Sequence, residues 1–190
     1  MSYNFNLTMT KAEISNTFNN NIAYIIENQV PEDVLRWVLQ RENRHLVDDD
    51  EIFVQYPEWK GYYISNYGNL ISTKGKEPKF IKQLPFTKRY KGYVLYDPNP
   101  NKEPFPLTVG RMVAEVFCLN FFREKERDYL DVHHIDHDPE NNCWKNLVLL
   151  PDPLHDEVHR MDKQHGIMQP FEVCVSPTKD GNLYPDGMKQ

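Results

Sequence analysis

Two pairs of histidines carry the chemistry this sequence offers. His155 and His159 stand four residues apart behind Asp152-Pro153, an N-cap and a good first helical residue, so a helix is expected to begin there. One helical turn puts both imidazoles on one face, a preformed two-point grip for a metal ion. His133 and His134 are adjacent at the end of a short apolar run (Tyr129, Leu130, Val132) that reads as a strand, and neighbours on a strand point to opposite faces. One of them can complete three protein ligands with the helix pair, while the other is free to accept a proton near neutral pH. Three ligands leave positions open for water and substrate, as a catalytic centre requires and a structural one does not.

The elements that must position these groups follow from the residues between them. A polar loop rich in Asp and Asn comes after His134. Lys145-Asn146 then leads into Leu147-Val148-Leu149-Leu150, a second strand able to turn back beside the first. The layout is strand, loop, strand, helix, with histidines converging from the first strand and the helix.

His133-His134, Asn146, His155 and His159 together resemble the HNH (ββα-metal) nuclease motif. The intervals from Asn146 to His155 and His159 are similar to those of colicin-type DNases. His-His-Ile-Asp followed by Asn-Asn and Asn146-Leu147 is more similar to the HNH endonucleases of phages and mobile introns. Two upstream segments add to the second likeness. Residues 57–70 resemble the Trp/Gly-Tyr/Ser-Asn-x-Gly element that often precedes such domains, and Val109–Phe117 resembles the helix that commonly follows it. The resemblance spans about residues 57–160. It implies that His133, His155 and His159 hold a metal, that His134 is the general base, and that Asn146 ties the loop to that base. The products it implies are a 3′-hydroxyl and a 5′-phosphate. Many phage members place Gly after His-Ile-Asp, where this chain has His137-Asp138, and many use Asn at the position of His155. These departures bear on the choice of metal more than on the reaction.

Length and composition set the bounds. A chain of 190 residues can bury one sizeable core, and its 11 Tyr and 10 Phe exclude full disorder. No apolar run approaches a membrane span, and the first residues lack a signal-like plan. Cys118, Cys143 and Cys174 are widely spaced and form no CxxC pair, so a reduced cytoplasm is expected, in a bacterial or phage-infected cell. The net charge of −6 argues against nucleic acid, since phosphate neutralisation supplies most affinity for DNA. The average hides an asymmetry. Lys74, Lys76, Lys79, Lys82, Lys88, Arg89 and Lys91 stand against one acid, Glu77, while acids gather at Asp48–Glu51 and around Asp136 and Asp138. A basic patch on an acidic chain is compatible with double-stranded DNA; a solvated charge run is the plainer alternative.

The fold class expected is α+β: an N-terminal helical pair, a small antiparallel sheet and a ββα-metal core. Residues 1–50 are read as the helical segment, with Thr10-x-x-Glu13 as a capping box and Val34, Leu35, Val38 and Leu39 as the stripe of a second helix opened by Pro31. The acidic run 48–51 reads as a linker. Residues 51–120 supply short strands, around Ile52–Tyr56, Tyr62–Ser65, Leu70–Ser72, Phe80-Ile81, Gly92–Tyr96 and Phe105–Val109, and an amphipathic helix over Arg111–Leu119. This region is expected to contact DNA through Lys74, Lys76, Lys82, Lys88, Arg89, Lys91 and Arg111, with Tyr63, Tyr67, Phe86 and Tyr90 interleaved, and with Tyr93 and Tyr96 in the sheet core. Arg111 could instead pair with Glu115. Residues 121–166 form the nuclease core, and 167–190 a tail without clear periodicity.

The function expected is a metal-dependent DNA endonuclease, monomeric, using one divalent ion. Mg²⁺ or Mn²⁺ is the expected working ion, with Zn²⁺ or Ni²⁺ suited to the imidazole set. Two alternatives stand beside it: a DNA-binding protein that keeps the fold without cleaving, and a nuclease serving defence or DNA packaging rather than homing.

Overall fold

The computed structural model describes residues 22–57, 59–97, 99, 101–118 and 130–165, with a short strand pair at 175–177 and 183–185. The Thr10–Glu13 capping box therefore lies outside the described residues. The fold is α+β, as the sequence predicts.

Among the described residues three short helices come first: α1 (Ile22–Glu27), α2 (Glu32–Val38) and α3 (Arg41–Arg44). The strands β1 (Phe53–Gln55), β2 (Tyr62–Ser65), β3 (Leu70–Ser72) and β4 (Lys79–Phe80) then form an antiparallel sheet in sequential order. The single sheet expected for this region is in fact two. The strands β5 (Leu84–Pro85), β6 (Lys91–Leu95) and β7 (Phe105–Thr108) make a second, three-stranded sheet. The break falls at Ile81–Gln83, between two-residue strands too short to carry the ladder across.

The first sheet is buried on both faces. One set of alternating side chains, Val54, Tyr62, Ile64 and Leu70, joins the main core with Tyr93, Leu95, Met112, Val116 and Phe117. The other set, Phe53, Tyr63 and Ile71, packs against Val34 and Val38 of α2. The apolar stripe of the second helix thus packs on the sheet. Val30 N donates to Phe53 O at 2.9 Å and Gln55 N to Asn28 O at 2.8 Å, so the α1–α2 connection also pairs with the outer edge of β1. The acidic stretch is folded in and is no linker. Glu51 is buried and accepts from Asp48 N at 3.0 Å and Asn69 Nδ2 at 2.9 Å, with burial pushing its carboxyl above the usual range.

Two aromatic expectations are reversed. Tyr63 is buried in the second core and cannot face DNA, whereas Tyr96 lies just beyond β6 and is 57% exposed. Tyr93 is in the core, its hydroxyl donating to Gly68 O at 2.8 Å.

The amphipathic helix starts two residues earlier than predicted. Thr108 caps α4 (Val109–Val113), its hydroxyl accepting from Arg111 N, and the helix widens into a π turn over Ala114–Cys118. Met112, Val113, Val116 and Phe117 are buried, as their spacing predicts. The π turn also brings Glu115 into the core, where the Tyr56 hydroxyl donates to its carboxylate; such a group is tolerated inside only with hydrogen-bonding partners.

The last unit is β8 (Leu130–His134), a loop ending in a 3₁₀ turn (Trp144–Asn146), β9 (Leu147–Pro151) and α5 (Asp152–His165). β8 and β9 pair antiparallel, with His133 opposite Val148 and His134 opposite Leu147. In the tail, β10 (Val175–Pro177) and β11 (Leu183–Pro185) form a strand pair that no periodicity announces. No helix among the described residues is long and apolar enough to cross a membrane.

Candidate active site

Strand alternation separates the two adjacent histidines. His133 faces α5, where its ring centre is 5.3 Å from that of His155 and 4.9 Å from that of His159. One potential ligand atom from each of the three residues lies within 4.8 Å of the other two. On the helix, His155 Nε2 and His159 Nε2 are 3.2 Å apart. Two nitrogens held at about 2.0–2.1 Å from one ion at a tetrahedral angle are about 3.3 Å apart, so this pair has the bite of a chelate. Behind it, Asp131 Oδ2 is 3.7 Å from His155 Nδ1, on the side away from His159. A carboxylate there favours the proton on Nδ1 and leaves Nε2 as the donor atom for a metal. The residues present therefore fit a divalent ion held through imidazole nitrogens.

His134 points the other way, into a buried pocket of its own. Its Nε2 is 3.1 Å from Asn142 Oδ1. The Asn142 amide nitrogen donates to Pro139 O at 3.3 Å and Glu140 O at 3.2 Å, so its oxygen is the atom offered to the imidazole. His134 then carries its proton on Nε2, and Nδ1 is the basic nitrogen. Burial holds the His134 pKa below the usual histidine range; the Asn142 bond and the nearby Asp136 and Asp138 oppose this, and Arg89 adds to it. Gly110, at the start of α4, lies beneath the pair. A Cβ there would stand 2.9 Å from Asn142 Oδ1 and 3.4 Å from the His134 ring.

Asn146 organises the loop between the strands. Its side chain accepts from Asp136 N at 3.0 Å and donates to Asp136 Oδ1 and to Asn141 O, both at 2.8 Å. Asp136 also accepts from Asp138 N at 2.8 Å and Asn141 Nδ2 at 2.6 Å. Burial raises the Asp136 pKa, but these bonds outweigh it and keep the carboxyl below its usual range. The loop leaves β8 through a turn closed by His137 N donating to His134 O at 3.0 Å. His137 has φ +63° there, a conformation natural to glycine that costs a histidine on the order of 1 kcal/mol. That is the position where the resemblance leads one to look for Gly.

The upstream Ser-Asn-x-Gly element is a support for this loop. Asn66 sits in the β2–β3 turn, where its carbonyl accepts from Trp144 N at 2.9 Å and its side chain from Ile52 N at 2.8 Å. Gly68 (φ +93°) lets that turn approach so closely that a Cβ would stand 2.6 Å from Val109 and 3.3 Å from Asn142 Cβ.

The basic residues divide. Tyr90 is exposed with its ring centre 6.3 Å from that of His134, and it follows Lys88 and Arg89, both exposed. Lys91 pairs with Glu140 of the loop at 2.6 Å. Of these, Tyr90 and Arg89 lie near His134, and Lys91 is tied to the loop that follows it. Lys76 and Lys82 are exposed on other turns, and Lys74 is held by the sheet, its ammonium over the Tyr62 ring at 4.3 Å and bonded to Tyr96 O. Arg111 is half-buried, with Nη2 donating to Leu130 O at 2.6 Å. Reading the sequence missed Asn142, Asp131 and Gly110. Asn142 stood in the quoted Asn-Asn pair, but nothing in the pair says which asparagine meets the histidine.

No protein-family model matches the chain, and no curated protein matches it. Among solved structures, 62% of the chain is similar, at 22% identity and a TM-score of 0.48, to a structure described as "DNA binding and cleavage by the HNH homing endonuclease I-HmuI". The match spans 60% of that protein's chain.

Proposed function

We propose that this chain is a metal-dependent endonuclease that hydrolyses phosphodiester bonds in double-stranded DNA. The observation that carries the reading is the split between neighbours on β8: His133 turned to the two helix imidazoles, His134 turned to Asn142 with Nδ1 left basic.

In this reading His134 Nδ1 takes a proton from water, and the oxygen so activated attacks the scissile phosphorus. A divalent cation held by His133, His155 and His159 supplies Lewis-acid stabilisation of charge on the phosphate and the leaving 3′-oxygen. Asn142 fixes the tautomer and plane of His134. Asn146 acts one step further back, by holding the loop that carries Asn142. Lys88, Arg89 and Tyr90 lie where a duplex entering the pocket would meet them, with cations for phosphate and a ring for stacking. The all-imidazole set favours Zn²⁺ or Ni²⁺ in occupancy, while Mg²⁺ or Mn²⁺ can be the working ion. The element over residues 57–70 favours a phage-type or homing enzyme, acting as a monomer in the cytoplasm.

The test is incubation of the chain with plasmid and long phage DNA across Mg²⁺, Mn²⁺, Ni²⁺ and Zn²⁺. Cleavage with at least one ion is expected, and discrete fragments would mark a site-specific enzyme. Bound DNA and bound metal without cleavage under any of these ions would overturn the reading in favour of a non-cleaving DNA-binding protein.

A further inference from the structure

Three imidazoles suffice for the centre described above, yet a fourth stands against them. The His137 ring centre is 5.3 Å from that of His133 and 5.2 Å from that of His159, edge to face in both cases. The three rings of the centre are themselves 4.6 to 5.3 Å apart. With a metal–nitrogen bond of about 2.0–2.1 Å, the centre of a coordinated imidazole is about 3.2 Å from the ion, and two such rings at the tetrahedral angle are about 5.2 Å apart. His137 therefore stands from His133 and His159 at the ring spacing of a fellow ligand. The ligand atoms already gathered within 4.8 Å are those of His133, His155 and His159, so closing the site includes a swing of the His137 ring toward the ion.

Its backbone points the same way. The turn after β8 holds His137 at φ +63°, where glycine would sit without penalty and Asn or Asp with little. Histidine adopts this conformation more readily than most residues, so the turn accommodates the imidazole that the centre would use. In that conformation, the side chain is carried toward His133 and His159 across the mouth of the centre, and it remains half-buried.

We propose that His137 is a fourth ligand of the DNA-free protein, completing a closed four-imidazole site of the kind suited to zinc. The inference rests on the reading of His133, His155 and His159 as a metal centre. A closed set keeps no open position for substrate, so in the proposal a phosphate oxygen of bound DNA takes the place of one ligand. His137, the one on a loop and not on β8 or α5, is the ligand that exchanges.

The test is titration of the full chain with Zn²⁺ by calorimetry and with Co²⁺ by visible absorption, in the wild type, His137→Gly and His137→Asn. The wild type is expected to bind one ion and to give the strong visible bands of tetrahedral cobalt. Both variants suit the turn, and the thermal midpoint of the metal-free His137→Gly protein should be no lower than wild type. Each should bind Zn²⁺ on the order of tenfold more weakly or worse, since even outer-shell losses cost that much. Each should also shift and weaken the visible cobalt bands, because water replaces the fourth imidazole. Wild-type binding with unchanged affinity and cobalt spectrum in folded variants would overturn the role of His137 and leave the three-imidazole centre standing. A wild type that takes up neither ion would overturn both.

Discussion

Asn142 engages one ring nitrogen of His134 and leaves the other: its Oδ1 lies 3.1 Å from Nε2, an arrangement that leaves the basic lone pair on Nδ1. His134→Ala should keep metal and DNA binding and lose cleavage by a factor on the order of 10² to 10⁴. His133→Ala should lose metal and cleavage together. Asn142→Ala should lower single-turnover cleavage by about 10- to 100-fold at unchanged metal affinity, and Asn142→Asp, which keeps an acceptor, should recover part of it. If His134→Ala abolishes metal binding while His133→Ala retains it, the two roles are exchanged.

Burial keeps His134 neutral to lower pH than a free imidazole. Only the neutral form accepts a proton, so the single-turnover rate should be flat through neutrality and fall at a midpoint below about 6.5. The Asn142 bond favours the charged form, so Asn142→Ala should move that midpoint lower still while reducing the plateau. A wild-type midpoint above the free value would rule out burial as the dominant influence.

Gly110→Ala is the steric counterpart. The added Cβ displaces Asn142 Oδ1 from a 2.9 Å approach, and that oxygen can yield only by leaving His134. Cleavage should fall by as much as about 10²-fold, the scale of a small misplacement, with metal affinity preserved. Cleavage rates and zinc titration of the same preparation check it, and wild-type turnover would show that the pocket absorbs a methyl group.

On α5, His155→Ala and His159→Ala should each weaken Zn²⁺ or Ni²⁺ binding by calorimetry, because each removes half of the 3.2 Å chelating pair. Asp131→Asn should cost less than either, because its carboxylate stands 3.7 Å from His155 Nδ1, beyond hydrogen-bond reach. Undiminished affinity in both histidine variants would move the centre off the helix.

For DNA, Arg89→Ala should lower the slope of log affinity against log salt by about one unit, as the loss of one phosphate contact does. Lys91→Ala should change it less, because Glu140 already engages that ammonium at 2.6 Å. Equal, unchanged slopes in Lys88→Ala, Arg89→Ala and Lys91→Ala would move the DNA face elsewhere.

What could be read from the sequence, and what could not, follows the range of the interactions involved. The start of α5 at Asp152 and the strand under His133-His134 are local events, set by capping and alternation within a few residues. Tyr63 escapes a reading by alternation because β2 is covered on both faces, by α2 on one side and the main core on the other. Tyr96 lies one residue beyond the end of β6, where the strand's pattern no longer decides burial. The π turn at Ala114–Cys118 has no spacing signature, since its apolar residues also satisfy an ordinary helix. Asn142 and His137 lie in a polar loop where composition promises turns but not directions. The bonds of Asn146 and Asp136 set the course of that loop, and Asn142 is aimed by its own bonds to Pro139 O and Glu140 O.

The bond from Trp144 N to Asn66 O has a practical meaning for anyone wishing to transplant the strand–loop–strand–helix unit that carries the histidines. Residues 130–165 look like a portable cassette, but a piece under about 40 residues seldom folds without a staple or metal. Cut there, the excised piece would leave behind the turn at Asn66–Gly68, the floor at Gly110, the guanidinium on Leu130 O and the ammonium on Glu140. The graft would carry the metal ligands to a new host and lose the geometry of the base. A chimera would have to import residues 52–118 as well, so a swap between such enzymes belongs at the edge of the sheet, not at the edge of the motif.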